Sequence, residues 1–488
     1  MKKKLICIFL FLLLVLPLIN ACDDDDNDIS STGSADEIEE LGLEPRNFNG
    51  KTISLLTVEG DGNIYSAYEF ATNETDGSKI KDAVFNRTQK LKEDYGINLE
   101  VAYDPTPTAS YKNSIHAGDN THQLISDSML GMMNLGNDGH LHNLNNVPNL
   151  NLSKEWWDQS VIDDLSLAGK RYFLAGDFMI SDKNATWCCF FNKDLIDEYA
   201  LENPYELVKS DEWTIDKLYE MAKVVSEGNK GLSEVTWENG TFGLLTQTYD
   251  AIASMVSFNQ KMITKDSNDY PELNIQNEAT YDKFTKIYDV IMDKNTSLVI
   301  EFSGAGEGLE IYENGPKVFL SGRALFTYNR LQYVQDIMDS NADFKYGSLP
   351  MPKYDINQDE YYTTCTVYWA QVVSIPITVP EEELDAVGYL LEVMGYYGKE
   401  LVKPAYYDET IKLQKMDDQE SEEMLDIIFA NRIFDWATLY DNSSALQLYT
   451  NILISRNNTI ASSIEAQVSA LQVLVDEHIK AINKIDEK

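Results

Sequence analysis

From residue 51 onward the apolar and polar positions switch repeatedly between a period of two and a period near 3.6, which lays out strands and helices in turn. Lys51 to Val58 (KTISLLTV) predicts a strand that ends in the turn-rich run Glu59-Gly60-Asp61-Gly62-Asn63. Ile80, Val84, Phe85, Thr88 and Leu91 then share one helical face, and Gly96 supplies a stop. Ile97 to Tyr103 (INLEVAY) predicts a second strand, residues around Tyr111 to Ala117 a short helix, and Gln123 to Ser126 a third strand ending at Asp127-Ser128. Strand, helix, strand, helix, strand implies right-handed crossovers and a parallel sheet, whose ligand loops lie at the carboxyl ends of the strands. Asp61, Asn63, Asp127 and Ser128 fall at such ends and are candidate ligand contacts.

The alternation continues through the rest of the chain. Trp187 to Phe191 (WCCFF) is a wholly apolar strand followed by a turn into a helix. Thr214 is placed to cap a helix whose buried stripe is Ile215, Leu218, Tyr219, Ala222 and Val225. Tyr281, Phe284, Ile287, Tyr288 and Ile291 repeat that pattern. Gly322 to Tyr328 predicts a strand, Asn329 to Met338 a helix, and Ile464, Val468, Leu471, Val475 and Ile479 a long last helix. No internal repeat is visible. The fold class expected is α/β.

The amino terminus has a different pattern. Lys2, Lys3 and Lys4 precede an apolar run from Leu5 to Ile19, too short to span a bilayer, and Ile19-Asn20-Ala21-Cys22 resembles a bacterial lipobox. That arrangement predicts a signal peptide over residues 1–21, cleavage before Cys22, and acylation of Cys22, so that the chain is tethered to the membrane by lipid alone. Residues 22–48, with Asp23 to Asp26 and further acids among Ser, Thr and Gly, are expected to be a disordered, extended stalk. The expected location is the extracytoplasmic face of the cell membrane.

Charge and cysteine content narrow the chemistry. The 488 residues carry 80 acids against 39 bases, a net charge of −41, which disfavours nucleic acid and anionic lipid and favours neutral or cationic solutes. Beyond Cys7 and Cys22 only Cys188, Cys189 and Cys365 remain, too few for a disulfide framework. The five histidines include His140 and His142, yet no HExxH or other ligand set accompanies them, and no metal or cofactor is expected. GxSxG, phosphate-cradling and dinucleotide-binding glycine patterns are missing as well, so no catalysis is expected. Eighty acids offer many carboxylate pairs for glycoside hydrolysis, but none stands out.

Four segments, in order and spacing, carry a family resemblance: Phe190-Phe191-Asn192-Lys193-Asp194-Leu195, Asp211 to Leu218 (DEWTIDKL), Gly322-Arg323-Ala324-Leu325-Phe326, and Gly347 to Lys353 (GSLPMPK). Over residues 50 to 488 the chain resembles the extracellular solute-binding proteins (family 1) of bacterial sugar importers, distantly similar to maltose-binding protein. The resemblance implies a two-lobed, periplasmic-binding-protein-like fold with an interlobe hinge and cleft, lobe one holding residues 50–185 and 371–405 and lobe two residues 190–367 and 410–488. It implies a monomeric binding component of an ABC transporter, capturing a carbohydrate, expected to be an oligosaccharide, and delivering it to the permease's transmembrane subunits. On that template Trp187, Tyr328, Asn329, Arg330, Tyr368, Trp369 and Trp436 join the candidate contacts, since aromatic faces stack on sugar rings and amides or carboxylates take hydroxyl pairs. Tyr328-Asn329 stands where the maltose binder has a tryptophan, so the cargo does not carry over, and Arg330 could instead grip a carboxylated sugar or be a surface charge at a helix start. The template crossings also place Cys188 or Cys189 near Cys365, which raises a cross-hinge disulfide, with free buried thiols the favoured reading. A surface-tethered glycan hydrolase and a surface glycan receptor not coupled to a permease are the remaining alternatives.

Overall fold

The computed structural model describes residues 39–60, 65–413, 419–440 and 445–486. Residues 1–21, expected to be a signal peptide, and Cys22, Asp61 and Asn63 lie outside the described residues. Two sheets organise the chain. The first has the order β11-β3-β1-β2, with β1 (Lys51–Thr57) parallel to both β2 (Ile97–Tyr103) and β3 (Leu124–Ser128), and β11 (Gln371–Ser374) antiparallel to β3. The second has the order β10-β4-β9-β5-β8, built from β4 (Trp187–Asn192), β5 (Phe242–Thr246), β8 (Ser297–Val299), β9 (Ala324–Arg330) and β10 (Tyr346–Leu349). In it β5 runs parallel to β8 and β9, whereas β4 is antiparallel to its neighbours β9 and β10. A small hairpin, β6 (Ile263–Lys265) with β7 (Pro271–Leu273), stands apart from both sheets.

Local chemistry explains the main elements. Ser78 caps the helix Lys79–Glu93 by accepting from the Lys81 N–H, and Ile80, Val84 and Leu91 on its inner face are buried. Gly96 follows with φ +63°, and a Cβ there would meet the Asn49 amide nitrogen at 2.9 Å, so the turn into β2 needs glycine. Thr214 accepts from the Lys217 N–H to start the helix Ile215–Ser226, as its position predicts. One large core, with Ile53, Leu55, Leu124 and Val373 on one side and Phe191, Leu218, Phe284 and Phe326 on the other, continues through both lobes.

Three passages of the chain link the sheets and pair with one another. Thr186 lies opposite Cys365, the Trp187 N–H donates to Thr364 O at 2.9 Å, and Thr366 N–H donates to Ala185 O at 2.9 Å. The third passage joins at Thr363, whose N–H donates to Asn431 O (3.2 Å) and whose carbonyl accepts from Ile433 N–H (2.8 Å).

One expectation changes at this level, and the favoured reading of the cysteines holds. Residues 39–48, expected to be part of an extended stalk, dock on the first lobe: Leu41 is buried, Phe48 packs edge-on against Tyr389, and Arg46 forms a double hydrogen bond to Asp385 at 2.9 and 2.6 Å. The cross-hinge disulfide is absent, and Cys188, Cys189 and Cys365 are free and buried. Cys365 sits opposite Thr186, two residues before Cys188, so the two sulfurs are at best diagonal neighbours, at roughly 7–8 Å between such positions, too far for a bridge. Cys189 projects from the other face.

Candidate ligand-binding cleft

The carboxyl ends of β1, β3, β5, β8 and β9 and the amino end of β4 point toward the crossings, so the loops that follow them form the walls of the cleft. On the first wall, Asp127 is half-buried and turned onto its own lobe. Its Oδ2 accepts from both the hydroxyl and the N–H of Thr108, and its Oδ1 accepts from the Ser128 N–H at 2.7 Å. Ser128 caps the helix Met129–Asn137, accepting from the Gly131 N–H. That helix is tied to the second crossing by Met129 N–H to Ala370 O (2.8 Å) and Leu130 N–H to Val367 O (3.2 Å), which places Asp127 and Ser128 beside Tyr368 and Trp369.

The second wall is aromatic. Trp187, at the start of β4, stacks on Tyr249, with ring centroids 6.1 Å apart and planes 28° from parallel. Arg330, at the end of β9 and directly opposite Trp187, lays its guanidinium 3.4 Å from the centroid of the Trp369 ring. Partial burial of Arg330 lowers its pKa to about 10. Asn329 accepts from the Arg330 N–H at 2.9 Å, and Tyr368 remains exposed at 43%. The helix expected to start at Asn329 starts instead at Tyr333, because pairing with Trp187 and Cys188 extends β9 through Arg330. Arg330 is therefore part of the aromatic seam and not a surface charge at a helix start.

Two candidates fall elsewhere. Tyr328 is only 3% exposed, inside the core with its hydroxyl buried and unpaired. It lies two residues further into the sheet than Arg330. Trp436 is 1% exposed, gives its indole N–H to Asp164 O, and meets the edge of His478. Both are core residues here.

Tyr249, Thr248 and Glu301 were not anticipated. Thr248 donates its N–H (3.0 Å) and hydroxyl (2.7 Å) to one Glu301 oxygen, and the other oxygen, Oε2, is buried without a partner. Asp250 below them accepts from Thr246 Oγ1 (2.8 Å) and Gln247 N–H (2.9 Å), and burial with some help from the Glu301 charge pushes its carboxyl up to about 7. Folded Asp250 thus keeps a proton that the unfolded chain has lost between about pH 4 and pH 7, so this group makes stability fall as pH rises through that window, by up to about 1.4 kcal/mol per pH unit. Asp250→Asn, which retains an acceptor oxygen, should flatten the loss of urea resistance between pH 5 and pH 8. An unchanged difference between those pH values would show that Asp250 is not the titrating group.

No protein-family model matches the chain, and no curated relative does. Solved structures do match it. The maltose-binding periplasmic protein MalE from Listeria monocytogenes, in complex with maltose, is 13% identical over 90% of this chain and 99% of that one, with a TM-score of 0.54. The apo form of RafE from Streptococcus pneumoniae is 15% identical over 90% and 98% of the two chains, also at 0.54. The maltose/maltodextrin-binding domain of MalE from Bdellovibrio bacteriovorus, bound to maltotriose, is 14% identical over 87% and 99%, at 0.51. At such low identity the likeness speaks for the backbone alone, and over this much of each chain it establishes the architecture: two α/β lobes joined by crossings, as in MalE and RafE.

Proposed function

We propose that the protein is a lipid-anchored carbohydrate-binding component of an ABC importer, held by Cys22 on the extracytoplasmic face of the cell membrane. The observation that carries this reading is the aromatic seam, in which the Trp187–Tyr249 stack and Trp369 meet at the crossing with Asp127 and Ser128 on the facing wall. Flat rings match the CH-rich faces of sugar rings, and carboxylates, amides and hydroxyls beside them can take hydroxyl pairs. Two of the proteins with the same fold named above, both called MalE and described as maltose-binding, were solved with maltose or maltotriose. A neutral oligosaccharide suits a surface whose net charge of −41 would repel anions. A hinged carrier suits delivery to a permease, since a membrane partner can distinguish its open and closed forms.

Thermal denaturation across a panel of mono- and oligosaccharides, peptides and polyamines tests the binding step. A carbohydrate is expected to raise the melting temperature by mass action, and a shift by a peptide or polyamine with none by any carbohydrate would overturn the reading. The anchor is tested separately. Cys22→Ser should leave sugar binding intact, release the protein from the cell surface and lower uptake, because tethering keeps the local concentration near the permease high. Unchanged uptake would dissociate the anchor from transport.

A further inference from the structure

On the opposite face of the crossings from the aromatic seam lies a second cavity, of about 380 Å³, between residues 155–160 and 176–177 of the first lobe and the segments around Tyr407 and Arg432. Its position follows from strand alternation. Trp187 faces Tyr249, whereas its neighbour Thr186 turns its hydroxyl to Arg432 Nη1 at 3.3 Å.

The cavity is lined by both signs of charge, held rigidly. Lys183, Arg432 and Asp158 have side chains only 4%, 5% and 6% exposed. Lys183 donates to Gly176 O (2.9 Å) and Met179 O (3.0 Å), and Arg432 Nη2 donates to Asp158 Oδ2 at 2.6 Å. Bonding capacity is nevertheless left over. The Asp177 carboxylate, 13% exposed, has its nearest ammonium groups at 3.7 Å (Lys403) and 3.9 Å (Lys183), beyond hydrogen-bond reach. Burial raises its pKa, with the two lysines opposing. The Tyr407 and Phe429 rings, 5.7 Å apart, form an apolar side.

We propose that this cavity is a second ligand site, distinct from the interlobe cleft, that takes one neutral sugar ring or a short polyol. An anion placed there would face Glu155, Asp158, Asp177 and Asp426, and a cation would face Lys183, Lys403 and Arg432. A hydroxyl group donates to a carboxylate and accepts from an ammonium or guanidinium, so a neutral polyhydroxy molecule satisfies both kinds of group without adding charge. The volume is near the low end for small-molecule pockets, which suits one ring and not a chain.

Saturation-transfer NMR titrations of the full chain with D-glucose and with D-sorbitol test the site. At least one probe should bind the wild type and bind the Tyr249→Ala/Trp369→Ala double variant equally well, because those residues belong to the other face. Asp177→Asn should weaken that binding about tenfold, the cost of one charge-assisted hydrogen bond. Ala430→Trp, which fills the cavity from an exposed helix end, should abolish the signal with little change in melting temperature. Absence of transfer from both probes, loss of transfer in the cleft variant, or survival of full binding in Ala430→Trp would each overturn the proposal.

Discussion

Replacing Arg432 with methionine is expected to destabilise the protein by about 3–5 kcal/mol, the range for removing one partner of a buried charge cluster. Its guanidinium Nη2 sits 2.6 Å from Asp158 Oδ2 and 2.9 Å from Asp182 Oδ2, and the three side chains are 5%, 6% and 0% exposed. The two acids hold the guanidinium pKa well above its ordinary value despite burial. Without it, two carboxylates remain in a site that water barely reaches, and their desolvation is no longer offset by attraction. The effect is large because of position as well as burial. Asp158 belongs to the first lobe, Asp182 precedes the first crossing strand, and Arg432 lies on the third crossing paired with Thr363. A triple variant, Arg432→Met with Asp158→Leu and Asp182→Leu, should recover much of the loss, since apolar groups of similar volume often replace buried ion clusters at little cost. Chemical denaturation of the three proteins checks this, and a single variant within about 1 kcal/mol of wild type would show that the cluster is hydrated and weak.

Much of this architecture is legible in the sequence because local signals there agree with the tertiary outcome. The expected strand at Lys51–Val58 ends one residue earlier, Ile97–Tyr103 is unchanged, and the helix marked by Ile80 to Leu91 is framed by Ser78 and Gly96. The site is less legible, for three physical reasons. Asn329 and Arg330 carry no strand signal of their own, and it is pairing with Cys188 and Trp187 that draws them into β9. Tyr328 shares a face with Arg330, but whether a side chain on that face reaches the cleft or the core depends on how far the covering layer extends, which alternation does not encode. Tyr249 and Glu301 follow strands of five and three residues, too short to show a period. One signal for Tyr249 is nonetheless present. The apolar run Phe242–Leu245 gives way to Thr246-Gln247-Thr248-Tyr249-Asp250, and the rule applied at Asp127 would have marked it as a strand-end loop. The acidic composition of residues 39–48 argues for a solvated segment, yet Leu41, Arg46 and Phe48 are sufficient to dock it.

Tyr249→Ala should lower affinity for the sugar that gives the largest thermal shift by about 10–100-fold, the effect of losing one aromatic platform of roughly 1.5–3 kcal/mol. Tyr249 is half-buried, backed by Trp187 at 6.1 Å, so its ring is held in place before a ligand arrives and little side-chain freedom is lost on binding. Trp369→Ala should cost as much by a second route. The indole is part of the turn after Thr366 that carries the chain into β11, and the Arg330 guanidinium 3.4 Å from its ring centre orders it. Removing the indole takes away both a platform and the support of Arg330. Arg330→Lys keeps the charge but not the flat face, and should weaken binding less than Trp369→Ala does. Trp436→Phe supplies the contrast. That indole is buried against Asp164 and His478, so the substitution should lower the melting temperature and leave affinity within about twofold, less than 0.5 kcal/mol. Isothermal titration of the four variants separates the alternatives. If Tyr249→Ala and Trp369→Ala bind like wild type while Trp436→Phe loses affinity, the ligand does not lie on the Trp187–Tyr249–Trp369 seam, and the cleft must be sought on the Trp436 side of the crossings.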